Sequence, residues 1–159
     1  MYGWTAERLV RKQTALAIPS YLYLFDHGYP AADKMNLHAF HASELPYVFA
    51  TTDKTPVNWP KIPKTEVEKK LSNAMLDYWA SFARTGTPSA AGQPAWPAYG
   101  SERAYMAFED APRPRTDLMP GMYEFNEQVV SRRRAKGGIP WHWNVGLASP
   151  PLPPKVSCK

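Results

Sequence analysis

One segment sets the scale of anything this chain can fold into. From Thr65 to Thr85, Val67, Leu71, Ala74, Met75, Tyr78, Trp79 and Phe82 recur at helical spacing, which gives a helix with one apolar face. Thr65 and Glu68 stand in the capping-box arrangement. The hydroxyl accepts from the third helical amide, and the carboxylate reaches back to the cap amide. Gly86 and Pro88 stop the helix. At about 1.5 Å per residue it is roughly 30 Å long, the width of a small domain. An aromatic stripe of this kind belongs in a core rather than around a cofactor. The rest of the chain must supply the surface that covers it.

That remainder is short and heavily punctuated. A chain of 159 residues is one domain's worth. Its 17 prolines are about twice the usual share. They cluster over Pro56–Pro63, Pro88–Pro97 and Pro112–Pro154, so the middle and the end are expected to be rich in loops. Residues 5–17 read as a helix capped by Thr5, with Ala6, Leu9, Val10, Leu16 and Ala17 on one face, and Pro19 ends it. Tyr21–Phe25 is a continuous apolar run, the pattern of a strand covered on both faces in a parallel sheet. Asp26–Pro30 turns the chain out. Residues 51–63 form a polar, Pro-rich loop, and residues 87–100 form a second loop carrying Trp96. Arg103–Phe108 reads as a short edge strand. A second amphipathic helix starts near Pro120, marked by Met122, Phe125, Val129 and Val130. Arg132–Arg134 fall in its last turn, where positive charge suits the helix dipole. Gly137-Gly138 break it, so the expected organisation is a folded segment over 1–136 and an irregular tail over 137–159.

The net charge is +5. Much of it sits in Arg11-Lys12 and Arg132–Arg134, which read as basic helix ends. No nucleic-acid-binding motif accompanies them, and no nucleic-acid partner is expected. Cys158 is the one cysteine, so no internal disulfide forms. No apolar run is long enough to span a bilayer. Residues 1–17 lack the uninterrupted apolar core of a signal peptide, and the localisation stays unassigned.

The chemistry concentrates between Leu37 and Ala50. His38, His41 and Glu44 are three residues apart and would share one face of a helix. Three such ligands could hold zinc with a fourth position open. No fourth ligand is identifiable and Pro46 limits any helix there, so no metal is expected. His41 could instead be a general base, which requires a nucleophile within hydrogen-bond reach and an acid to orient the ring. Nine serines are present, and none lies in Gly-x-Ser-x-Gly, the strand-to-helix elbow that exposes a nucleophile. On spacing alone, a structural histidine and a base without its nucleophile both stay open.

Three segments, in order, resemble the type B carboxylesterases, the family that includes the cholinesterases. Phe40-His41-Ala42-Ser43-Glu44-Leu45-Pro46-Tyr47-Val48-Phe49 is similar to that family's histidine motif, and the strand Tyr21–Phe25 precedes it as in the family. Trp79-x-x-Phe82-Ala83-x-x-Gly86-x-Pro88, followed by Trp96-Pro97, matches its helix-end pattern. The resemblance covers roughly residues 10–135. It implies an α/β fold: the C-terminal part of an α/β-hydrolase, with one or two strands, two main helices, Pro-rich loops and tail, and an incomplete sheet.

It implies that His41 is the catalytic histidine of a serine esterase, on the loop after the last main strand. His41 would take the serine's proton during attack on an ester carbonyl and return it to the leaving alcohol. Phe40 would line the acyl or alcohol pocket. Glu44 would be a buried carboxylate with a structural role, not the triad acid. Ala42 departs from the glycine usual after this histidine. The nucleophile, the oxyanion-hole glycines and the acid would lie upstream of Met1, following the order Ser…Asp/Glu…His. The implied partners are a small-molecule ester and that N-terminal part, and no cofactor is implied. Without the upstream part the chain is expected to be inactive, and the open edge of strand 21–25 is expected to promote association. The alternative is a non-catalytic binding module or an inactive truncated remnant of the same family.

Overall fold

The computed structural model describes residues 2–135. The expected tail, its Gly137-Gly138 break and Cys158 lie outside those residues. Two compact units divide the chain, Met1–Leu118 and Met119–Lys159, the second described through Ala135.

The long central helix forms as its sequence predicts. It is α4, Glu66–Thr85, with Thr65 in extended conformation accepting from the Glu68 amide and Gly86 closing it at φ 76°. At that φ a side chain would crowd the backbone, which is why glycine serves as the stop. The buried face carries Leu71, Ala74, Met75 and Tyr78 but is rotated from the expected stripe. Val67 and Phe82 are exposed, while Glu68, Ser72 and Ser81 are buried. Ser81 explains much of the motif at the helix end. Its hydroxyl donates to the carbonyls of Tyr78 and Ser89 and accepts from the Ser89 amide, folding the Gly-Thr-Pro turn back onto the helix.

Against α4 stands a three-stranded sheet of order β1-β2-β3, with β1 Tyr23–Phe25, β2 Ala104–Phe108 and β3 Pro112–Thr116. β1 runs parallel to β2, and β2 runs antiparallel to β3. Three corrections to the sequence reading follow. First, the described residues form three strands rather than one or two, because Pro112-Arg113-Pro114-Arg115-Thr116 is a strand and not a loop. Second, β2 is the central strand, all five residues buried, not an edge. Third, β1 is not covered on both faces: Tyr23 is 38% exposed, and β1 is an edge strand among the described residues.

Between the sheet and α4 the core holds Tyr29, Tyr47, Leu71, Met75, Tyr78, Trp96, Met106 and Phe108. Trp96 is its hub, with Tyr78, Trp79 and Phe108 rings 5.4–5.6 Å from its own, and its indole N–H donates to the Leu22 carbonyl at 3.1 Å. Edge-to-face and tilted aromatic pairs of this kind add to area burial. The Trp-Pro motif is therefore a packing element joining the loop before β2 to the start of β1.

The first helix, α1, spans Tyr2–Ala15, so Thr5 lies inside it rather than capping it. Its buried positions are Trp4, Glu7 and Val10, while Ala6, Leu9, Leu16 and Ala17 are exposed. The shift has a polar cause. Glu7 Oε1 receives the Arg11 guanidinium at 2.7 Å and the Tyr99 hydroxyl at 2.9 Å, so a carboxylate occupies the centre of the face. Burial, with the hydrogen bond to Glu7, pushes the Tyr99 hydroxyl up to about 12. The helix expected from Pro120 is α5, Met122–Ala135, within the second unit. Val130 is buried there, but Met122 and Phe125 are exposed.

Candidate active site

Beyond β1 the chain makes a short helix α2, Pro30–Lys34, then turns, and then a one-turn helix α3, Leu45–Val48. His41 is exposed, in the turn that enters α3. The turn is built by hydrogen bonds from the Ser43 amide to the Phe40 carbonyl and from the Leu45 amide to the Ala42 carbonyl. His38 and Ala42 have φ of 47° and 67°. These left-handed residues rule out the continuous helix on which His38, His41 and Glu44 would have shared a face. His38 is exposed and pairs with Asp33 at 3.1 Å. Among the described residues no group of three or more His, Cys, Asp or Glu side chains is placed to hold a metal ion.

The three residues singled out for the site have different surroundings. His41 presents an exposed imidazole. Phe40 is half-buried and packs edge-to-face on Trp59, ring centres 5.0 Å apart, at the margin of the core. Glu44 is half-buried rather than buried. It is the N-cap residue of α3, yet its side chain makes no capping bond. Burial and then the Glu44 charge push the Tyr23 hydroxyl upward. The serine hydroxyls nearest to the core are committed elsewhere: Ser20 to Gln13, Ser72 to the Tyr47 carbonyl, and Ser81 to its helix end. Ser43 is the exception. It is buried, and its hydroxyl has no partner among the described residues.

The buried carboxylate beneath this segment is Glu68, on α4. Its Oε2 accepts from the Tyr47 hydroxyl at 2.6 Å and lies 2.9 Å from His27 Nε2. His27 Nδ1 lies 3.2 Å from Asp110 Oδ1. His27 is 2% exposed and Glu68 5%. Burial alone would push His27 down, but the hydrogen bond and charge of Glu68, helped by Asp110, outweigh it and hold the ring above its ordinary value. Tyr47 is pushed well up by burial and by Glu68.

Sequence reasoning missed this cluster. Glu68 was assigned to the capping box, and only half of that box forms: Thr65 accepts the Glu68 amide, but the carboxylate goes to Tyr47 and His27. His27 read as part of a turn. No local pattern signals partners 21 and 41 residues away from Glu68. Near the cluster, a groove of about 310 Å³ lies over the first turns of α4, with Asp53, Lys64, Glu68 and Ser72 in its wall. His41, Phe40 and Glu44 do not line it.

Residues 1–126 match the carboxylesterase family, and the chain belongs to that family. It is 34% identical over 119 residues to mouse acylcarnitine hydrolase, covering 72% of this chain and 20% of that protein. It is 35% identical over 118 residues to human cocaine esterase, with the same coverage of 72% and 20%. Among solved structures, a carboxylesterase of Geobacillus stearothermophilus superposes with a TM-score of 0.60 at 32% identity, covering 74% of this chain and 24% of that one. An esterase from Clostridium hathewayi gives 0.60 at 30%, covering 75% and 23%. The chain thus spans about a fifth of the length of the curated relatives it matches and about a quarter of these solved ones. Its mixed sheet with flanking helices is part of an α/β-hydrolase fold. Among the described residues no helix is long and apolar enough to cross a membrane.

Proposed function

We propose that the chain is the C-terminal part of a serine carboxylesterase and supplies its catalytic histidine, His41. The observation that carries this reading is the presentation of His41. Its imidazole is exposed on a tight turn whose far side, α3, is buried and hydrogen-bonded to the central helix. A general base needs this combination, a residue at the protein surface on a backbone that does not wander.

In the proposed reaction His41 accepts the proton of a serine hydroxyl as that oxygen attacks the ester carbonyl. It then donates the proton to the departing alcohol, and repeats both steps with water to release the acid. The serine, its orienting acid and the oxyanion-hole amides come from sequence upstream of Met1. Phe40, with Trp59 behind it, forms one wall for the acyl or alcohol group. Glu44 supports the turn through its place at the head of α3. The position of β1 at the sheet edge among the described residues suits an upstream strand beside it. No cofactor enters the scheme.

The test is hydrolysis of a p-nitrophenyl ester by the chain alone, with the upstream segment added, and with the His41→Ala variant. Activity that requires the segment and disappears in the variant supports the reading. Equal activity with and without the imidazole refutes it.

A further inference from the structure

We propose that Glu68 and His27 are positioning residues for His41: through Tyr47 they pin α3, and α3 holds the turn that carries the imidazole. The catalytic role of His41 is the one proposed above; the pinning itself stands on the geometry of this chain.

The cluster joins four separate pieces of the fold. His27 follows β1, Tyr47 lies in α3, Glu68 in α4, and Asp110 in the connection from β2 to β3. One carboxylate oxygen, Glu68 Oε2, serves both Tyr47 and His27. His27 in turn spans to Asp110 with its other ring nitrogen. A second tie acts on the same short helix, because the Ser72 hydroxyl donates to the Tyr47 carbonyl at 3.1 Å. Tyr47 is therefore held at its side-chain tip and at its backbone, in both cases by α4. Its ring lies 5.4 Å from those of Phe25 and His27, which fixes the third direction.

From Tyr47 the order passes back along the backbone. Its amide bonds to the Glu44 carbonyl, the Leu45 amide to Ala42, and the Ser43 amide to Phe40. These steps bracket His41. On the other side, Asn36, Leu37 and His38 are exposed, and Asn36 and His38 sit at φ 55° and 47°. The hydrogen bonds that tie the turn to the core thus lie on its C-terminal side, while Phe40 on the other side packs on Trp59.

Stability alone is a poor reason for such a cluster. Withdrawing a carboxylate and its imidazole partner from water costs about as much as their attraction returns, and apolar replacements often do as well. What a satisfied buried network does supply is a single geometry. Here that geometry places one turn of chain.

The experiment uses the 159-residue chain with Tyr47→Phe, which keeps the ring and removes the hydroxyl, and with Glu68→Gln. Circular dichroism and a thermal melt establish that each variant folds. Amide hydrogen exchange over residues 41–45 and the ring resonances of His41 are then compared with the parent. Exchange there should rise on the order of tenfold in Tyr47→Phe, the loss of a hydrogen bond to a charged group, and the His41 ring signals should move, while amides in the middle of α4 stay as they were. Folded variants with unchanged exchange over 41–45 and unchanged His41 signals overturn the proposal. If Glu68→Gln does not fold, the Tyr47 variant still decides. With the upstream segment added, Tyr47→Phe should lower kcat about tenfold and leave KM within about twofold, and equal loss in both terms counts against positioning. Should His41→Ala leave hydrolysis untouched, the esterase reading falls, and the exchange result still decides the pinning.

Discussion

Replacing Ala42 by glycine should stabilise the chain. Ala42 sits at φ 67°, immediately after His41. In that left-handed region a Cβ crowds the following carbonyl, at about 1–2 kcal/mol for an L-residue. Glycine escapes this crowding, but its freer unfolded chain gives back about 0.5–1 kcal/mol. The difference, about 0–1.5 kcal/mol and centred at about 0.7, favours Ala42→Gly, by about 1–3 °C in melting temperature at the centre for a chain of this size. A built-in control exists at the end of α4. Gly86 has φ 76° and, apart from its own chain neighbours, no atom within 4 Å of where a Cβ would stand, so Gly86→Ala meets backbone strain alone. The two substitutions should move urea midpoints and thermal melts in opposite directions by similar amounts. If Ala42→Gly lowers stability while Gly86→Ala also lowers it, the strain assigned to position 42 is wrong.

Ser43→Ala should raise stability by about 1 kcal/mol in a urea melt, because it removes a buried hydroxyl that has no partner among the described residues; a loss would show that the hydroxyl is satisfied. His27 makes stability depend on pH. Its folded value is raised, so its contribution is complete below about 6.5, the unfolded value, and fades as pH climbs through the folded one. The groups facing it are Glu68, Asp110 and Tyr47, and urea midpoints should drop as pH rises above about 6.5, with a flatter profile in His27→Gln. Phe108→Ala should cost about 3–5 kcal/mol, since the ring is fully buried against Trp96, Tyr78 and Trp79; a cost under about 1 kcal/mol by chemical denaturation would contradict the packing described.

How far the residues could be read in advance depended on how local their interactions are. The cap at Thr65, the stop at Gly86 and the length of α4 rest on neighbours within four positions, and all were readable. The parallel pairing of β1 was readable from its unbroken apolar run. The rank of β2 within the sheet was not, because it depends on β3, and Pro-Arg-Pro-Arg-Thr carries every local mark of a loop. Glu7 and Glu68 misled for a related reason. A carboxylate on a helix normally faces water, and partners far along the chain, Tyr99 for one and His27 for the other, help draw these two inward. At the candidate site the motif around His41 carried the family resemblance, and the match over residues 1–126 agrees with that resemblance. Glu44, expected to be buried, is half-buried, and the buried carboxylate near the segment, Glu68, carries a local pattern that reads only as a cap.

The two rims of the sheet differ in what they offer. The Met106 amide and the Phe108 carbonyl turn toward β1, bonding to Leu22 and Asp26. By alternation, Tyr105 and Ala107 turn toward Arg115 and Arg113. Pro112 and Pro114 therefore direct their nitrogens outward, where they have no hydrogen to give. On the opposite rim Tyr23 and Phe25 direct outward both an N–H and a C=O. The sheet consequently has a polarity of assembly. Among the described residues imino acids blunt one flank, and the other, from which the chain departs toward His41, carries the alternating N–H and C=O groups that a further strand can pair with.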